Sequence, residues 1–165
     1  MIFKIRMGHT KLTFSVSKIE DVIGVNSMIG DKDHILMWDF DYTNKYKVAR
    51  ALSWAQDIFY LPRIYILKTA EKKGFHAYCF ARKSFQEACH ILAATKHIDM
   101  NYFRMGAFRG YWTLRVSKKS GRSFELCDVL PGYGSEDVEL RELKRFTMYD
   151  TTPDGTNTRM IKIGK

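Results

Sequence analysis

Cysteine, proline and acidic residues are scarce in this chain. Three cysteines in 165 residues, Cys79, Cys89 and Cys127, are odd in number and widely spaced. That spacing excludes a disulfide framework and a zinc-ligand pattern, and leaves reduced thiols in a core. Three prolines and 11 glycines are too few for a collagen-like or low-complexity chain. No apolar run approaches the roughly 18 residues that a membrane span requires. The stretch "MIFKIRMGHTKLTFSV" lacks the unbroken apolar centre of a signal peptide. The expectation is a soluble, cytoplasmic protein with no membrane partner. Asp and Glu number 18 against 27 Lys and Arg, giving a formal charge of +9 and a pI near 9.5. Such an excess favours an anionic partner, nucleic acid first, because cations along phosphates release counterions. The plainer explanation is a basic surface kept for solubility.

What is present suits a folded domain. Apolar residues make up 45% and aromatics 14%, enough to bury a core in one domain spanning 1–165. "IFKIR" and "KLTFSVS" alternate and predict two strands around "MGHT". "IGVNSMIGDKD" reads as a loop leading into a strand over 35–41. Val48, Leu52, Ala55 and Phe59 recur at helical spacing, with Thr43 or Asn44 as cap and Pro62 as stop. "RIYILKT" and "FHAYCFA" predict a hairpin around "AEKKG". Ser84 with Glu87 has capping-box spacing and opens a second helix to about residue 96, with Phe85, Ala88, Cys89 and Leu92 inward. "NYFRMG", "YWTLRVS" and "FELCDVL" follow as strands. "EDVELRELKRF" is either helix or strand, and "DTTPDGTNT" is a loop before a last strand "RMIKI". The pattern predicts an α+β layer: an antiparallel or mixed sheet with helices on one face and an RRM-like, split βαβ core.

Four groups carry chemical interest. Asp39 and Asp41 interrupt the apolar strand "HILMWDFDYTNK" and, two apart, share a face. Like charges so placed repel unless a cation or a proton intervenes. Magnesium suits such a pair, being hard and oxygen-seeking; a solvent-facing strand edge is the plainer reading. His76 in "KKGFHAYCF" shares a face with Tyr78 and Phe80. It is either a core histidine or a phosphate or metal contact near Lys72 and Lys73. Asp99, after the second helix, is either a turn former or a third carboxylate. In "RGYWTLRVSKKSG", Arg115 and Ser117 lie opposite Trp112, Leu114 and Val116, with Lys118 and Lys119 following. Such cations hold a triphosphate or a template backbone, or simply mark an exposed strand end.

In this order the motifs resemble the archaeo-eukaryotic primase superfamily, and look most like its viral and plasmid primase-polymerase branch. Asp39-Phe40-Asp41 matches the first motif, Asp-x-Asp. Gly74-Phe75-His76 matches the second, a small residue, any residue, then His. Ile98-Asp99 matches the third, a hydrophobic residue and Asp. Arg115 and Lys118 match the following strand. The resemblance spans about 35–119. It departs from the family in having Gly74 where serine is usual, and in lacking a zinc stem or helicase module. It implies a primase catalytic core acting as DNA primase, DNA polymerase or both, in replication of a virus or plasmid. Two divalent ions, Mg2+ or Mn2+, would be bridged by Asp39, Asp41 and Asp99. His76, Arg115, Ser117 and Lys118 would hold the nucleoside triphosphate. Charge alone nominates Arg104, Arg109, Lys119 and Arg122 as contacts for a single-stranded DNA template. A separate helicase or single-strand binding protein would be a partner.

Three rivals remain. A non-catalytic RRM-like binder is faintly suggested by "RGYWTLRV", but Thr113 and Arg115 break the aromatic platform that stacking requires. A replication-initiator endonuclease would need a His-x-His pair, whereas His90 and His97 are seven apart. An inactive primase-like accessory protein is the third.

Overall fold

The structure, a computed structural model, describes residues 2–7, 10–15, 21–69, 74–117, 123–150 and 158–162. An antiparallel ribbon comes first, β1 (Ile2–Met7) and β2 (Thr10–Ser15), with Ile2 opposite Ser15. The loop expected over 23–33 is instead strand: β3 (Asp21–Asn26) and β4 (Met28–Ile29). Gly24, Asn26 and Ser27 depress strand propensity, but partners on both sides override it. The polar residues build the corner between the strands. The Asn26 side chain accepts from the Met28 N–H at 2.9 Å, and Ser27 Oγ accepts from the Trp112 N–H at 3.0 Å.

β5 (Asp33–Phe40) is the central strand of the core. Ile35, Leu36, Met37 and Trp38 are all fully buried, so both faces of β5 are covered. The indole of Trp38 donates to Thr95 Oγ1 at 3.0 Å. Helix α1 (Lys45–Phe59) is capped by Asn44, whose side chain accepts from the Lys47 N–H. Val48, Leu52 and Ala55 of its expected stripe are fully buried, and Phe59 packs half-buried against them. β6 (Ile64–Lys68) and β7 (Phe75–Ser84) form the expected hairpin. Helix α2 (Phe85–Ala94) opens on Ser84 with both capping-box bonds to Glu87 present, and packs on β5 and β7.

The strand expected over "NYFRMG" is helix α3 (Met100–Arg109). Its ends explain the misreading. Asp99 is its N-cap, accepting from the Asn101 N–H at 2.9 Å, and Gly110, at φ 81°, closes it. Gly106, the last residue of that expected strand, sits mid-helix because the Trp112 indole lies where a side chain would stand. Strands β8 (Thr113–Arg115) and β9 (Glu125–Leu130) follow, then a 3-10 turn at Leu140–Glu142, β10 (Arg145–Asp150) and β11 (Thr158–Lys162). "EDVELRELKRF" therefore splits between the turn and a strand.

Two larger antiparallel sheets result. One has the order β4-β5-β7-β6-β9, the other β11-β10-β3-β8. β8 also contacts β5, which sets the edge of the second sheet beside the acidic end of the first. The class is α+β. Among the described residues, no helix is long and apolar enough to cross a membrane.

Candidate active site

The acidic strand end is assembled by pairing. β5 and β7 run antiparallel with Asp39 opposite His76 and Phe40 opposite Phe75. One pair further, the same register sets Asp41 opposite Gly74. A Cβ at Gly74 would lie 2.5 Å from Thr69 Oγ1 and 3.5 Å from Asp41 Oδ1. The bare backbone at 74 thus makes room for the Thr69 side chain, while a Cβ would only touch Asp41. The Thr69 N–H in turn donates to the Gly74 carbonyl at 3.0 Å. Gly74→Ala is expected to destabilise the fold by overpacking, by roughly 1–3 kcal/mol, with a melting temperature lower by about 2–4 °C per kcal/mol. Adding Thr69→Ala removes the obstructing hydroxyl. A double variant that melts no higher than Gly74→Ala alone would contradict this packing.

Asp99 arrives from the other side. Its N–H donates to the Asp39 carbonyl at 2.8 Å, so the start of α3 continues the edge of β5. Tyr102, one turn later, donates its hydroxyl to the Met37 carbonyl at 3.1 Å. Ile98, buried, anchors the approach.

His76 and Arg115 complete the corner through a residue that sequence reasoning missed. His76 Nε2 stands 3.6 Å from Asp39 Oδ1, a close contact beyond hydrogen-bond length. The His76 ring centre lies 5.1 Å from that of Phe124, tilted by 32°. The Arg115 guanidinium carbon lies 5.6 Å from the same ring centre, a cation–π distance. Phe124 precedes β9, and only the tertiary pairing of β9 with β6 brings it here; no local pattern marks it. Arg115 Nε and Thr113 Oγ1, both on β8, are buried without a hydrogen-bond partner among the described residues.

Electrostatics single out Asp39. Its carboxyl is pushed up to about 7, first by burial, then by the charges of Asp41 and Asp99. A bond from the Phe40 N–H and the charge of Arg115 oppose the rise. Carboxylates from two separate motifs, 39–41 and 99, are therefore close enough that Asp41 and Asp99 both act on Asp39. Among the described residues, no three His, Cys, Asp or Glu side chains are arranged to hold a metal ion. What the structure gives is a raised Asp39 carboxyl with the charges of Asp41 and Asp99 acting on it.

Ser117 Oγ accepts from the Ile23 N–H at 3.0 Å, which extends the pairing of β8 with β3. Arg104 and Arg109 are exposed on α3 beside the exposed Phe108, and their charges are not among those acting on Asp39. Lys72, Lys73, Lys118, Lys119 and Arg122 lie outside the described residues. Compared with known protein families, with curated proteins and with solved structures, the chain finds no match.

Proposed function

We propose that this chain is a template-dependent nucleotidyltransferase, a DNA primase or DNA polymerase with an RRM-like core of the archaeo-eukaryotic primase type. It would act on single-stranded DNA in the replication of a virus or plasmid. One observation carries the reading. Residues far apart in sequence, Asp39, His76, Asp99 and Arg115, meet at one strand end as acids flanked by a cation and an imidazole. A nucleotide-adding site needs that polarity: carboxylates for a metal-bound phosphate, and donors for the rest of the triphosphate.

Within this reading Asp39 and Asp41 hold the divalent ion, Mg2+ or Mn2+. When bound, the ion supplies charge for the leaving pyrophosphate and lowers the pKa of the attacking hydroxyl. Asp99 adds negative charge and fixes the Asp39 backbone. Arg115, steadied over Phe124, has an unsatisfied buried Nε to offer a phosphate oxygen, with Thr113 Oγ1 beside it on the strand. His76, against the same Phe124 ring, would be a further donor.

The test is synthesis on a single-stranded template with Mg2+ or Mn2+, with and without a primer, using ribo- and deoxynucleotides. Product in at least one combination is expected. A folded protein that yields none in any of them loses this reading, and a non-catalytic RRM-like binder or accessory protein takes its place.

A further inference from the structure

α1 presents a second, unrelated surface. Tyr46, Arg50 and Trp54 recur at intervals of four on its outer side, a solvent-facing stripe. Tyr46 is 73% and Trp54 45% exposed, an unusual cost for two large rings on one short stretch of helix. Trp54 is held edge-on by Phe59, with ring centres 6.5 Å apart at 87°, so its ring is oriented before any ligand arrives. A cavity of about 450 Å³ lies along this stripe, bounded also by Lys47, Lys96 and His97. It shares Asn44 and Lys47 with a second cavity of about 350 Å³, which reaches Gly74 and Phe75. The two adjoin at Asn44 and Lys47, and the second ends at Gly74, whose backbone lies beside the Asp41 carboxylate. Lys47, Arg50 and Lys96 make no ion pair among the described residues, unlike Lys45, which is bound to Asp128 at 3.0 Å.

We infer that this groove binds single-stranded nucleic acid, with bases stacked on Trp54 and Tyr46 and phosphates met by Lys47, Arg50 and Lys96. Unpaired cations alone would suit any polyanion. Exposed rings alternating with them suit unstacked bases, because every base has a face to stack and a duplex has none to spare. The inference deepens the proposed function, since the groove would carry a template toward the carboxylates. Its test does not depend on that chemistry.

Binding of a labelled dT12, with rU12 and a 12-bp duplex alongside, is measured at low salt with EDTA present. Chelation separates strand binding from synthesis. Trp38 and Trp112 are fully buried, so quenching of tryptophan fluorescence reports Trp54. Expected are quenching by single strands, weaker binding of duplex, and a loss on the order of 5- to 100-fold in Trp54→Ala. Tyr46→Ala and Arg50→Glu, at exposed positions that threaten the fold least, are expected to weaken binding as well. Salt should weaken binding in proportion to the phosphates met. Unchanged affinity in all three variants, or duplex bound as tightly as single strand, would overturn the inference even if synthesis is observed.

Discussion

Asp39→Asn is expected to lower nucleotide incorporation by on the order of 10³-fold, several kcal/mol of lost metal-assisted stabilisation. The substitution keeps shape and removes only the charge that would hold the ion. Asp41→Asn is expected to match it, because the two carboxylates end the same strand opposite His76 and Gly74. Asp99→Asn separates two roles of one residue. Asparagine caps a helix as well as aspartate does, so α3 and its link to the Asp39 carbonyl survive while the charge is lost. A smaller fall, about tenfold or ~1.4 kcal/mol, is expected, since the Asp99 carboxylate already accepts from the Asn101 N–H. Single-turnover primer extension with each folded variant measures the ranking. If Asp39→Asn extends primers as fast as wild type, the acidic pair is not catalytic. A 10³-fold fall in Asp99→Asn would instead make Asp99 a third ligand.

The sequence makes most of this corner legible one residue at a time. Alternation alone puts Asp39 and Asp41 on one face, and the Gly74 hairpin strand returns beside them with His76 in register. Capping chemistry locates α2 correctly because Ser84 and Glu87 act locally. The same chemistry goes unused at Asp99, which is read as a turn former or a third carboxylate and not as a cap, so α3 is lost behind "NYFRMG" read as strand. Gly106 breaks the helical pattern for a reason found only in Trp112 across the packing. β3 is hidden for a similar cause: its glycine and polar residues become strand only when β8 and β10 pair with it. Phe124 has no sequence signal, because its contacts with His76 and Arg115 are made entirely by tertiary neighbours. The Tyr46, Arg50 and Trp54 stripe is different. Its spacing of four is visible in the chain, and a search of the polar side of α1, not only its apolar side, finds it.

The second large effect is on stability. The Asp39 carboxyl, raised from 3.8 to about 7, binds its proton more tightly in the folded chain than in the unfolded one. Below about pH 4 both states are protonated and the group contributes no difference. Between about 4 and 7 the unfolded chain ionises first, and the fold loses stability as pH rises. Above 7 the cost is complete, up to about 4 kcal/mol before relaxation. Asparagine has no such cost, so Asp39→Asn should melt higher than wild type at pH 8. At about 2–4 °C per kcal/mol for a chain of this size, the gap is on the order of 10 °C. It should shrink steadily toward pH 4. Taking the difference between variant and wild type at each pH cancels other groups that titrate alike in both. Divalent cations sharpen the test. Magnesium or manganese at pH 8 should raise the melting temperature of wild type, by neutralising Asp39 and Asp41, and leave Asp39→Asn nearly unmoved. A bound cation would relieve this cost. A pH-independent gap, or equal stabilisation of both proteins by the ions, would mean that the raised carboxyl serves the fold and not a metal.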